Sequence, residues 1–152
     1  MDIYAKLKDD HDNLKELMEK IGETSERAHK QREKLFSQLK GALTAHSKVE
    51  EAVFYATLRP KEDLSEDVLE GVNEHRVLDM LLSELDSIPK DNPQWTAKFH
   101  FLKELLEHHV SDEEEEMFPK AQKVLSKTQA ESLGETMDNR EKAVKEALEP
   151  LV

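Results

Sequence analysis

Cysteine is absent from the chain, which removes disulfides, thiolate zinc sites and iron–sulfur clusters and fits a reducing compartment. Glycine is scarce at 4 residues and proline at 5, in a chain of 152. β-Branched residues are sparse as well, so strand-rich architectures lack the residues that build them. No run of about 18 apolar residues occurs, and no charged start is followed by an apolar leader segment. The expectation is a cytoplasmic protein that neither spans a membrane nor carries a secretory signal. Positive charge is also in deficit, since 22 Lys and Arg stand against 34 Asp and Glu for a formal net charge of −12. Such a chain repels phosphate backbones and anionic lipid, which argues against nucleic acid and membrane partners and favours cations.

What remains is 37% charged residues interleaved with apolar ones, the composition of long amphipathic helices and an all-α fold with one core. Apolar residues recur at spacings of three and four from Tyr4 through Leu7, Leu14, Met18 and Ile21, and Gly22 ends this first stripe. Thr24 and Ser25 are placed to cap a second helix over residues 25–58, stopped by Pro60. Ser65 reads as the N-cap of a third helix carrying Val68, Val72, Leu78, Leu82 and Leu85 before Pro89. Asp91, Asn92 and Pro93 open a fourth, which runs through Phe99, Leu102 and Leu106 until Pro119 kinks or breaks it. A shorter fifth helix, capped by Thr128, carries Leu133, Met137, Val144 and Leu148. The expected architecture is an up-down-up-down four-helix bundle over residues 1–120, with residues 121–152 a helical extension packed on it.

The two halves carry the same code. Aligned on His11 and His75, Leu14 falls on Leu78, Leu17 on Leu81, Met18 on Leu82 and Ile21 on Leu85. Aligned on His46 and His109, Phe36 falls on Phe99, Leu39 on Leu102, Leu43 on Leu106, Glu50 on Glu113, Glu51 on Glu114 and Phe54 on Met117.

Within these stripes polar residues stand where apolar ones belong. The second seam runs Phe36, Leu39, Leu43, His46, Glu50, Phe54, and the fourth runs Phe99, Leu102, Leu106, His109, Glu113, Met117. His11 and His75 interrupt the first and third. An unpaired carboxylate in a core costs several kcal/mol, so two of them demand compensation. At about 1.5 Å per residue, all four histidines fall roughly 13–18 Å from the same end of the bundle, in one layer. The i, i+4 spacing puts His46 with Glu50, and His109 with Glu113, on single helix faces. Imidazole nitrogen and a carboxylate able to bridge two cations are how helix bundles build di-iron and di-manganese centres.

The elements His11-Asp-Asn-Leu, His46-Ser-Lys-Val-Glu50-Glu51, Glu74-His75 and His109-Val-Ser-Asp-Glu113-Glu114, the last ending in Met-Phe-Pro, resemble the hemerythrin-like HHE cation-binding domain over about residues 2 to 120. The resemblance implies that His11, His46, Glu50, His75, His109 and Glu113 bind two non-haem iron ions bridged by the two glutamates, with zinc or manganese also suited to such donors. Oxygen-carrying hemerythrins have a further histidine where this chain has Asp79, and their fourth-helix carboxylate comes nearer Glu114 than Glu113. The pattern therefore looks more like bacterial relatives linked to peroxide, nitric oxide or iron handling. Two functions follow as expectations. One is a di-iron protein that binds or reacts with oxygen, peroxide or nitric oxide, as an oxidoreductase if it turns over. The other is an oxygen or iron sensor or store without turnover. A small diatomic or peroxide ligand is the expected partner, with a redox partner or a homodimer compatible with either reading.

Several neighbouring residues read as bystanders. His29, His100 and His108 fall off the seam and are assigned to the surface, as are Glu114, Glu115 and Glu116. Asp79 is a candidate substitute ligand beside Leu78. Tyr55, aligned with Phe118, is read first as packing, with a hydrogen bond to the site or phenolate ligation as alternatives.

Overall fold

Asp2 accepts the amide proton of Ala5 at 2.9 Å and caps helix α1, Ile3–Gly22. The computed structural model describes residues 1–148; residues 149–152 of the expected extension, and the side chain of Leu148, lie outside the described set. Helix α2, residues 29–58, begins later than the sequence suggests, after a short 3₁₀ turn at Glu26–Ala28. Thr24 closes the preceding helix instead of opening this one: its hydroxyl donates to the Ile21 carbonyl at 2.5 Å and accepts from Arg32 Nε at 3.0 Å.

Helix α3, Ser65–Ser87, starts at Ser65 itself, with Leu64 in the cap position and no side-chain cap. Ser65 is therefore not the N-cap; a backbone turn in which its own amide donates to the Lys61 carbonyl leads the chain into the helix. Helix α4, residues 93–124, opens with the Asn92 side chain accepting from Gln94 N at 2.9 Å and Pro93 in the first turn. It passes through Pro119 unbroken and ends only at Val124. A wide π-helical turn, Glu113–Met117, comes just before that proline, and gives the ring room that a straight α-helix denies it. Helix α2 carries the equivalent π turn at Glu51–Tyr55. Helix α5 is Lys127–Leu148. Ser126, not Thr128, caps it: Ser126 Oγ accepts from Gln129 N at 3.1 Å, and Gln129 Oε1 accepts from Ser126 N at 2.8 Å, a reciprocal capping box.

Helices α1 to α4 form the up-down-up-down bundle, α1 packing on α2 and α3 on α4, while α5 lies along α1 and α2. Among the described residues no strand occurs and no helix is long and apolar enough to cross a membrane. A Cβ on Gly134 would come within 2.6 Å of the Asp2 carbonyl carbon, so glycine is what lets α5 cross the start of α1 backbone to backbone.

Among the described residues the core is two apolar clusters, not one. Ile3, Leu7, Val49, Phe54, Val68 and Met117 belong to the first, and Leu14, Leu43, Leu78, Trp95, Phe99 and Leu106 to the second. Between them on each of the four bundle helices lies a polar layer: His11 follows Leu7 and precedes Leu14, His46 sits between Leu43 and Val49, His75 between Val68 and Leu78, and His109 between Leu106 and Met117. At the far end buried Arg32 ties three segments, donating to the Thr24 and Lys90 carbonyls and to Thr96 Oγ1 while its guanidinium lies 4.8 Å from the Trp95 ring centre.

Candidate metal centre

The six seam residues meet. His11, His46, Glu50, His75, His109 and Glu113 come one or two from each bundle helix, and none is more than 3% exposed. Donor atoms of His11, His46, Glu50 and Glu113 lie within 4.8 Å of one another, as do those of Glu50, His75 and His109. Each glutamate spans the two groups. Glu50 Oε1 is 3.0 Å from His75 Nε2 and 3.9 Å from His109 Nε2, while its Oε2 is 3.7 Å from His46 Nε2. Glu113 Oε1 is 3.2 Å from His11 Nε2, and its Oε2 is 3.5 Å from His109 Nε2.

These approaches are not hydrogen bonds. The Nε2 atoms of all four histidines, both oxygens of Glu50 and Oε1 of Glu113 are buried without a hydrogen-bond partner. So many orphaned polar atoms at one point would cost a folded protein several kcal/mol if nothing joined them. A cation joins them naturally. Two donors each about 2.1 Å from one ion stand roughly 3.0–3.4 Å apart at angles of ~90–109°, close to the spacings observed. Nitrogen and carboxylate donors without sulfur suit iron, manganese or zinc.

A carboxylate on a second residue holds the other nitrogen of every imidazole. His11 Nδ1 lies 2.6 Å from Glu114 Oε2, His46 Nδ1 2.8 Å from Asp10 Oδ2, His75 Nδ1 2.7 Å from Glu51 Oε2 and His109 Nδ1 2.6 Å from Glu74 Oε1. Each Nδ1–H donates to its carboxylate, which leaves the Nε2 lone pair facing the interior and raises its basicity. The pattern follows the sequence repeat: Asp10 and Glu74 each precede a histidine and orient one on the next helix, and Glu51 and Glu114 each follow a central glutamate.

The charges lean on one another. Burial disfavours an imidazolium at His75, yet Glu50 and Glu51 outweigh it and push its pKa up to about 9. His109 is likewise raised against burial, by Glu50 and Glu74, and His11 by Glu113 and Glu50. Burial would raise Glu50, but His46, His109 and His75 hold it well below the usual carboxylate range. Glu113 is pushed up by burial and by the charge of Glu50 beside it. Without an ion, the two buried carboxylates favour protonation of His11, His75 and His109.

Tyr55 does more than pack. Its hydroxyl donates to Glu113 Oε2 at 2.7 Å and its ring stacks on His75 with centroids 5.4 Å apart and planes 10° from parallel. Burial and the charges of Glu113 and Glu50 push its pKa far above the ordinary value, which keeps it a phenol and argues against phenolate ligation. The ring lies where Gly71 leaves room, since a Cβ there would meet Tyr55 Oη at 2.6 Å. Tyr55→Phe is expected to destabilise the metal-free protein by about 1–2 kcal/mol through the lost hydrogen bond. Gly71→Ala should cost more, because the ring must move and both contacts suffer. Urea denaturation of the two variants measures this, and a Gly71→Ala protein as stable as its parent would show that the ring has another place to go.

Beside Tyr55, Gly71, Glu74, His109 and Glu113 a cleft of about 240 Å³ opens between α3 and α4, with Asp67, Glu70, Asp112 and Glu116 also lining it. Of the remaining sequence assignments, Asp79 is exposed on α3 and takes no part in the cluster, and His29, His100, His108, Glu115 and Glu116 are exposed as expected. Glu114 corrects the surface reading: half buried and within the π turn that begins at Glu113, it holds His11.

The matching family model is the hemerythrin HHE cation binding domain, over residues 2–121. Among solved structures, a hemerythrin HHE cation binding domain-containing protein from Mycobacterium kansasii superposes with a TM-score of 0.85 at 28% identity, covering 97% of this chain and 89% of that one. No curated protein matches the chain. A model spanning most of the chain, and a six-residue His/Glu cluster lying within the matched segment, lead to one conclusion: the chain belongs to the hemerythrin HHE cation-binding domain family.

Proposed function

We propose that the chain holds two iron ions in a non-haem, carboxylate-bridged centre and reacts there with oxygen, peroxide or nitric oxide. The observation that carries this reading is the set of seven orphaned nitrogen and oxygen atoms that converge from four helices. His11 and His46 would hold one ion and His75 and His109 the other, with Glu50 and Glu113 offering an oxygen to each. The metal pair, when bound, supplies Lewis acidity and electron exchange with the small ligand.

The chain's own residues set the conditions for that chemistry. Four carboxylates lock the imidazoles in one tautomer and orientation. The apolar clusters above and below the layer keep bulk water out. Tyr55 keeps one oxygen of Glu113 engaged at the His75 and His109 end, and the cleft reaches that same end, which makes it the side from which a small ligand approaches. With carboxylates around its mouth the cleft favours cations and neutral molecules such as peroxide, oxygen and nitric oxide over anions.

Metal content and visible absorption of protein produced in iron-supplemented medium test the reading. About two irons per chain are expected, with bands that respond to peroxide, oxygen or nitric oxide. Iron-loaded protein that ignores all three would fit a store or sensor instead. Zinc alone, or no metal in a folded protein, would remove the redox function.

A further inference from the structure

Three of the four carboxylates that orient the histidines are open to water: the side chains of Glu114, Glu51 and Glu74 are 27%, 38% and 15% exposed. Asp10, which holds His46, is sealed at 5%, and what seals it comes from α5. Glu141 of that helix is 2% exposed, beside Lys6 at 8%. Lys6 Nζ donates to Asp10 Oδ1 at 2.7 Å and lies 3.3 Å from Glu141 Oε2, while Asp10 uses its other oxygen for His46 Nδ1. Lys145 lies 3.0 Å from Glu141 Oε1. The donor atoms of Asp10, His46 and Glu141 are close enough together to hold a cation, but the Lys6 ammonium bonded to Asp10 already supplies the positive charge there.

Burying two carboxylates and an ammonium under a surface helix is costly for stability alone, because apolar residues of similar size would serve as well or better. The cluster acquires a purpose through its last member, His46. Resting on the metal-centre reading above, we propose that Glu141 is a positioning residue for the centre: by sharing Lys6 it keeps Asp10 free to hold and polarise His46, and so couples the docking of α5 to occupancy of the half of the site formed by His11 and His46. In Glu141→Gln, Lys6 pairs with Asp10 alone and Asp10 pulls less on the His46 Nδ1–H. Imidazole basicity, and with it metal affinity, then falls. The His75 and His109 half has its own carboxylates, Glu51 and Glu74, and does not feel the change. Glu141 lies on α5, outside the family-matched segment. By linkage the effect is reciprocal: a cation held by His46 tightens α5 against the bundle.

Cobalt(II) titration of the metal-free protein against a competing chelator, followed by visible absorption, tests this on the full chain. Glu141→Gln is expected to weaken one of the two equivalents about tenfold, the lower end of what loss of such a supporting partner costs, and to leave the other unchanged. Glu141→Asp, which keeps the charge, should restore most of that affinity, which a loss of packing alone would not allow. On the unmodified protein, amide hydrogen exchange over residues 134–145 should slow when cobalt is added, an observation that stands even if the glutamine variant folds poorly. Two equivalents bound by Glu141→Gln as tightly as by the parent, or α5 exchange indifferent to cobalt, would overturn the coupling while leaving the metal centre intact. A parent that takes up no cobalt would overturn the metal-centre reading, and the coupling with it.

Discussion

Replacing Glu50 and Glu113 together by leucine is expected to give a chain that folds without metal about as well as its parent, or better, and binds none. Both carboxylates are essentially fully buried, and three of their four oxygens have no hydrogen-bond partner. Exchanging buried charges for apolar side chains of similar size is often neutral or stabilising by about 1–4 kcal/mol. Part of that gain is offset because Tyr55 loses its acceptor on Glu113, and a buried hydroxyl left without a partner costs about 1–3 kcal/mol. The metal-free variant should therefore melt within a few degrees of the parent, or above it. Metal binding responds in the opposite sense, since each proposed ion loses two of its four donors and the only negative charges that touch it. Metal analysis after reconstitution and thermal melts in chelator read the two effects separately. A double variant that still retained two ions per chain would show that the histidines suffice and that the glutamates have been given the wrong part.

The architecture and six central residues were legible because they break a rule: histidine and glutamate stand in seams otherwise built of Leu, Phe and Met, and do so twice at matching positions. The supporting carboxylates were harder to see. Glu51 and Glu114 match across the halves, and Asp10 and Glu74 stand beside matching histidines, but each holds an imidazole on another helix, and a stripe pattern says which face a residue occupies without saying whom it meets. The π turns at Glu51–Tyr55 and Glu113–Met117 have no residue signature, yet they set where Glu114 and Tyr55 fall. Tyr55 could be understood only with Gly71, on the next helix but in contact. Glu141 did leave a signal: it follows Met137 by four and precedes Val144 by three, so it interrupts the seam of α5 as Glu50 interrupts that of α2.

Removing the metal should lower stability more than any single substitution discussed above. The polar layer divides the core into two clusters, and across that layer the metal-free protein has crowded charges where a domain would ordinarily have continuous packing. An ion binds the native donor set and finds no such set in the unfolded chain, so its binding free energy becomes folding free energy. With free metal at a thousand times its dissociation constant, one site contributes about 4 kcal/mol. For a chain of this length 1 kcal/mol corresponds to roughly 2–4 °C in Tm. Loading both positions should thus raise Tm by at least ~10 °C, and the shift should grow with metal concentration. Melts followed by circular dichroism with chelator, and with iron(II) or cobalt(II) under anaerobic conditions, measure it. Equal melting temperatures would mean that the ions have no preference for the folded state, and the orphaned donors between the two clusters would then need another partner.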